Sequence, residues 1–123
     1  MIVSGLVYDN QSIEESLEIL EECIERDHHA LEANMLLGVF YKKSNRLTRA
    51  VKHYTQAFNL GNPDAAVYIG RIYEQGGGSI TADVDVAYSW YEKAANAGSQ
   101  LGRSETQCFS KTFFGKYKRI RSI

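Results

Sequence analysis

Proline is almost missing from this chain: Pro63 is the only one among 123 residues. The glycines are not spread evenly but gather at Gly61, Gly76 to Gly78, Gly98 and Gly102. Few breakers at such intervals imply helices joined by short turns. Cysteine is scarce too. Cys23 and Cys108 lie far apart and form no CxxC pair, so neither a disulfide framework nor a zinc site is expected, and a reducing compartment is the default. No apolar run is long enough to span a bilayer. The opening residues, Met1-Ile2-Val3-Ser4-Gly5, lack a basic stretch followed by an apolar one, so no signal peptide is expected and the localisation reads as cytoplasmic. With 44 % hydrophobic and 24 % charged residues, the chain is too apolar to be disordered and is one domain in length.

Net charge is also nearly absent, at −1, but the sum hides segregation. Residues 1–32 carry nine acids and one base, Arg26, for −8. Residues 33–60 carry five bases and no acid, for +5. Residues 61–102 carry five acids and two bases, for −3, and residues 103–123 six bases and one acid, Glu105, for +5. Such blocks steer partners or line solvated helix faces; they do not choose a fold.

What is present is helical periodicity. A helix is expected over about 12–26, with Ser12 as N-cap, Glu15 at the capping-box spacing, and Ile13, Leu17, Leu20, Cys23 and Ile24 on one face. Others are expected over about 30–43, 46–60, 63–75, 82–97 and 99–114. Gly61-Asn62 suits a helix end and Pro63 a helix start. Residues 115–123 read as a basic tail. No strand shows clean alternation, so the expected class is all-α.

The helices repeat. Leu37-Gly38-Val39-Phe40-Tyr41 aligns with Ile69-Gly70-Arg71-Ile72-Tyr73. Ala50, Tyr54, Ala57 and Gly61 align with Ala87, Tyr91, Ala94 and Gly98, each 37 residues later; Ser16, Leu20 and Cys23 precede the first three by 34. Small residues let paired helices approach and tyrosines fill the remaining space. One pair cannot bury its own apolar face, so pairs must stack.

The spacing Leu-Gly-x-x-Tyr, Ala, Tyr, Ala resembles the tetratricopeptide repeat. Residues 69–98 resemble the Sel-1-like repeat more specifically. They carry Ile69-Gly70-Arg71-Ile72-Tyr73, a glycine loop, Asp83, and Ala87-Tyr88-Ser89-Trp90-Tyr91-Glu92-Lys93-Ala94-Ala95 ending at Gly98. The resemblance implies antiparallel helix pairs stacked as a short right-handed α-solenoid. Its units would be an N-terminal partial repeat (1–30), a tetratricopeptide-like repeat (31–62), a Sel-1-like repeat (63–98), and a divergent capping helix with a basic tail (99–123). Some secreted Sel-1-like proteins carry paired cysteines in each unit; this chain does not.

Residues offering chemistry are few. His28-His29 reads as a solvated turn, and His53 has no local Cys or His partner. Gly76-Gly77-Gly78-Ser79 lacks the Lys-Ser/Thr and the preceding strand of a phosphate loop. Cys23 falls on a small core position, and Cys108 has no histidine near it in sequence. A non-catalytic chain without metal or cofactor is expected.

By resemblance, the first helices of successive pairs line a partner-binding groove. Those positions are Glu32, Met35, Val39, Lys42 and Lys43, then Val67, Arg71, Glu74 and Gln75. They imply a peptide or helix of partly acidic character, held by a scaffold or adaptor. The tail bases Lys111, Lys116, Lys118, Arg119 and Arg121, interleaved with aromatics, suggest an alternative: a domain of a bacterial virulence regulator or effector whose tail meets nucleic acid or membrane. Self-association through an exposed terminal stack is a third expectation.

Overall fold

The computed structural model describes residues 10–25 and 29–123. Helix α1 spans Asn10–Glu25, α2 Ala30–Lys43, α3 Leu47–Asn59, α4 Asp64–Gln75, α5 Val84–Asn96 and α6 Gln100–Thr106. A two-stranded antiparallel hairpin follows, β1 Phe109–Lys111 and β2 Tyr117–Arg119. Each helix packs on the next in chain order, the pattern of an all-α solenoid, and the hairpin folds back onto α5.

The helix ends follow local chemistry. Asp83 accepts from the Val86 backbone N–H at 3.1 Å and caps α5. Ser99 caps α6 by accepting from the Gly102 N–H at 2.9 Å, and its hydroxyl donates to Asp64 at 2.5 Å. That one side chain joins the first turns of α6 and α4. Pro63 stands immediately ahead of α4. Between α4 and α5, Gly77 and Ile80 exchange two backbone hydrogen bonds of 2.8 and 2.9 Å, so the glycine loop is a tight turn between paired helices.

The repeat explains the closest packing. A Cβ placed on Gly38 would lie 2.5 Å from the Tyr54 ring, and one on Gly70 would lie 2.5 Å from the Tyr91 ring. In each unit, therefore, the tyrosine ring of the second helix occupies the space that a side chain at the glycine of the first would need. Leu37, Tyr41, Leu47, Ala50, Tyr54, Ala57, Ala65, Ile69 and Ile72 form one buried cluster. Ala66, Val67, Ala87, Tyr91, Ala94, Cys108 and Phe109 form a second. Phe58, Tyr73 and Trp90 pack against both and join them.

Three expectations change. Helix α1 begins at Asn10, two residues ahead of the expected Ser12 cap; the side chains of Ser12 and Cys23, and residues 26–28 including His28, lie outside the described residues. The last helix stops at Thr106, not near 114. The segment expected to be tail instead contains β2, because Tyr117 and Arg119 find partners on the solenoid. Tyr117 stacks on Tyr88 with centroids 3.7 Å apart, and its N–H donates to Asp85 at 2.8 Å. Strands of three residues are too short for alternation to reveal.

Candidate functional site

Two clefts open on the face formed by α2, α4 and the hairpin, and they share Arg71 and Gln75. The first, about 190 Å³, is lined by Lys42, Tyr54, Tyr68, Arg71 and Gln75. Its wall is aromatic: Tyr54 and Tyr68 have ring centroids 5.5 Å apart. The Arg71 guanidinium lies 5.8 Å from the Tyr68 ring centre, within cation–π reach. Burial, reinforced by Tyr68, pushes the Tyr54 hydroxyl up to about 12, so it stays a neutral donor at physiological pH. Lys42 is exposed and has no ion-pair partner among the described residues. This cleft has the volume for one side chain, an apolar aromatic floor and two cations at its edge.

The second cleft, about 370 Å³, is lined by Arg71, Glu74, Gln75, Glu105 and Arg119. Here charges are paired in a continuous network. Arg119 donates through Nε to Glu74 Oε2 at 2.6 Å and through Nη2 to Glu74 Oε1 at 3.0 Å, a bidentate clamp. The same Nη2 donates to Glu105 Oε1 at 2.6 Å. Arg71 Nε donates to Glu105 Oε2 at 3.1 Å, and the Tyr91 hydroxyl donates to Glu74 Oε1 at 2.7 Å. The Arg119 hydrogen bond, aided by Tyr91, holds the Glu74 carboxyl below the ordinary range against the opposing effect of burial. Burial and then the Glu74 bond push the Tyr91 hydroxyl well above its usual value.

The expected groove residues separate on this geometry. Lys42, Arg71 and Gln75 meet in the first cleft; Arg71, Glu74 and Gln75 meet in the second. Val67 does not face a groove: it is fully buried in the second core cluster, beneath a face that the hairpin closes. Met35 is half-buried and packs on the first cluster, while Val39, Lys43 and Glu32 are exposed on α2 and line neither cleft. Arg119, expected in a free tail, is inside the second cleft. Sequence reasoning missed Glu105 and Tyr68 as site residues. Glu105 lies 34 residues from Arg71, and Arg119 lies 45 from Glu74, and no local spacing connects such pairs.

The remaining tail bases stay near the hairpin. Lys116 is 3.4 Å from Asp85, Arg121 donates to the Gln107 carbonyl at 2.8 Å, and Lys111 sits 5.6 Å from the Tyr117 ring centre. Lys118 is exposed. Among the described residues no three or more His, Cys, Asp or Glu side chains gather as metal ligands, and no helix is long and apolar enough to cross a membrane. Cys108 is buried and its thiol donates to the Ser104 carbonyl.

A tetratricopeptide repeat model matches residues 31–62, and a Sel1 repeat model matches residues 63–99. Repeats of these kinds generally mediate protein–protein interaction. No curated protein and no solved structure matches the chain.

Proposed function

We propose that this chain, whose residues 31–99 are a tetratricopeptide repeat followed by a Sel1 repeat, is a non-catalytic interaction module that holds a partner segment in the Lys42–Arg71 cleft. One observation carries the reading: Lys42, which has no ion-pair partner among the described residues, and the Arg71 guanidinium, held by Glu105 through Nε, line a pocket with the Tyr54 and Tyr68 rings. Tyrosine and arginine are the residues that most often dominate interface energy. A carboxylate of the partner meets Lys42 and Arg71, and an adjacent apolar side chain lies over the two rings. The ligand class is therefore an extended or helical peptide with an acidic residue beside an apolar one.

The test is affinity capture from native extract with the wild-type chain, with Lys42→Glu/Tyr68→Ala, and with Lys52→Glu as an exposed control on α3. Proteins retained by the wild type and by Lys52→Glu should be lost from the double variant. Undiminished capture by the double variant shows that the partner binds elsewhere.

A further inference from the structure

The tip of the hairpin leaves two large apolar rings in water. Phe113 is 96 % and Phe114 85 % exposed, and their rings meet edge to face with centroids 5.4 Å apart. Isolated exposed apolar residues need no explanation, but a pair of adjacent phenylalanines on a projecting turn marks a contact surface. The tip is held in place. Tyr117 stacks on Tyr88, Arg119 is clamped by Glu74 and Glu105, and Phe109 is buried against Tyr88 and Tyr91. The segment that carries it is basic: residues 106–123 hold Lys111, Lys116, Lys118, Arg119 and Arg121 and no acid, and of these Lys116 is paired with Asp85 and Arg119 with Glu74 and Glu105, so Lys111 and Lys118 are the cations free to face a surface.

We propose that this tip inserts Phe113 and Phe114 into the interface of an anionic lipid surface, with Lys111 and Lys118 against the lipid phosphates and Lys116, paired with Asp85, beside them. Lys111 and Lys116 each lie two residues from the nearer ring. In extended chain that is at most about 7 Å, so cations level with the phosphates place the rings just beneath them. The turn already satisfies its own backbone at several points, which lowers the cost of leaving water. The Gly115 N–H donates to the Thr112 carbonyl at 2.9 Å, the Thr112 N–H to the Lys116 carbonyl at 2.6 Å, and the Lys116 N–H to the Thr112 hydroxyl at 3.1 Å. Nucleic acid is served less well. Successive bases stack on several rings set along a charged track, whereas this tip offers one pair of rings at 87° to each other with lysines flanking them on both strands. The surface is separate from the groove and does not depend on it.

Flotation of the intact chain with phosphatidylcholine vesicles, with and without phosphatidylserine, tests this at low and high salt. Capture should require phosphatidylserine and weaken with salt. It should fall at least about tenfold in Phe113→Ser/Phe114→Ser. Lys118→Gln should weaken it about fivefold, and Lys52→Gln, the same charge loss on the exposed face of α3 and outside both clefts, should leave it near the wild-type value. Among the described residues the two rings meet no ring but each other and both are exposed, so the double variant keeps the solenoid; should its circular dichroism change, the solvent-facing Lys118→Gln variant decides. The proposal is overturned by no capture on anionic vesicles at low salt, or by capture unchanged in the phenylalanine variant. It is equally overturned if a single-stranded oligonucleotide binds through the same residues while vesicles do not.

Discussion

At the scale of single residues, the two conserved-in-position glycines within this one chain show how the repeat is built. Gly38 and Gly70 are helical, so no unusual backbone angle selects glycine; the tyrosine ring of the partner helix does. Alanine at either site must push that ring away, and overpacking of this kind costs about 1–3 kcal/mol. Gly70→Ala also drives a Cβ to 3.0 Å from the Ala87 carbonyl oxygen, which cannot rotate aside. Gly70→Ala should therefore lower the denaturation midpoint at least as much as Gly38→Ala, and chemical unfolding of the two variants measures it. His53 offers a second test. It is buried, and its Nδ1 donates to Asn34 Oδ1 at 2.9 Å, because the Asn34 amide nitrogen is committed to the Ala30 carbonyl. Burial lowers its pKa below 6.5 despite Glu21 at 3.7 Å. The unfolded chain then takes up a proton at a higher pH than the folded one. Stability is full above about pH 7 and declines as pH falls through 6.5 toward the folded value. His53→Gln should flatten that decline in a series of urea midpoints; an unchanged slope assigns it to another group.

At the scale of elements, the hairpin is what the periodicity could not show. The helices and their repeat are legible because apolar residues recur at helical spacing over several turns; of the expected groove positions only Lys42, Arg71, Glu74 and Gln75 line either cleft, because helical spacing does not say what covers a face. The hairpin has three residues per strand, and its strongest contacts are side-chain pairings across the chain. Arg119 looked like one base among five, yet it closes a network with two carboxylates, and nothing local distinguishes it from Lys118. Val67 is buried for a related reason: it packs with Ala87, Tyr91 and Ala94 of α5 and with Cys108 and Phe109 beyond α6, contacts that a two-unit register does not include. Removing Arg119 leaves Glu105 buried with Arg71 alone. Breaking a fully buried pair costs about 3–5 kcal/mol. Because Arg119 is 28 % exposed and Arg71 remains, Arg119→Ala should fall at or below the lower end of that range. Acid should release the hairpin without substitution. The folded Glu74 carboxyl is held below 4.5, so its contribution is present above pH 4.5 and disappears as pH falls through the folded value. Amide exchange in β1 and β2 should accelerate in that window ahead of α2 and α3, and hairpin protection that persists down to the global acid transition contradicts the assignment.

At the scale of the molecule, the chain has two cores in series rather than one. Each helix touches its sequence neighbours, the first cluster belongs mainly to α2, α3 and α4, and the second to α4, α5 and the residues after α6. Coupling between them passes through Phe58, Tyr73 and Trp90, with Phe58 and Trp90 packed edge to face at 6.3 Å. In a stack of this kind stability is a sum of unit and interface contributions, so damage is local unless the interface dominates. Phe109 allows the two cases to be separated. It packs on Tyr88 and Tyr91, carries the Arg119 guanidinium 4.7 Å from its ring centre, and touches only the second core. Phe109→Ala should cost about 3–5 kcal/mol in that core. If interfaces are weak relative to units, native-state amide exchange will rise in α5 and around Ala66 and Val67 of α4 while Leu37, Tyr41 and Ala50 keep their protection. A uniform loss across α2 to α5 means that the aromatic bridge makes both units one cooperative body. The partner binding proposed for the Lys42–Arg71 cleft would then also feel the hairpin, because Arg71 lines that cleft and donates to Glu105, which Arg119 of β2 holds.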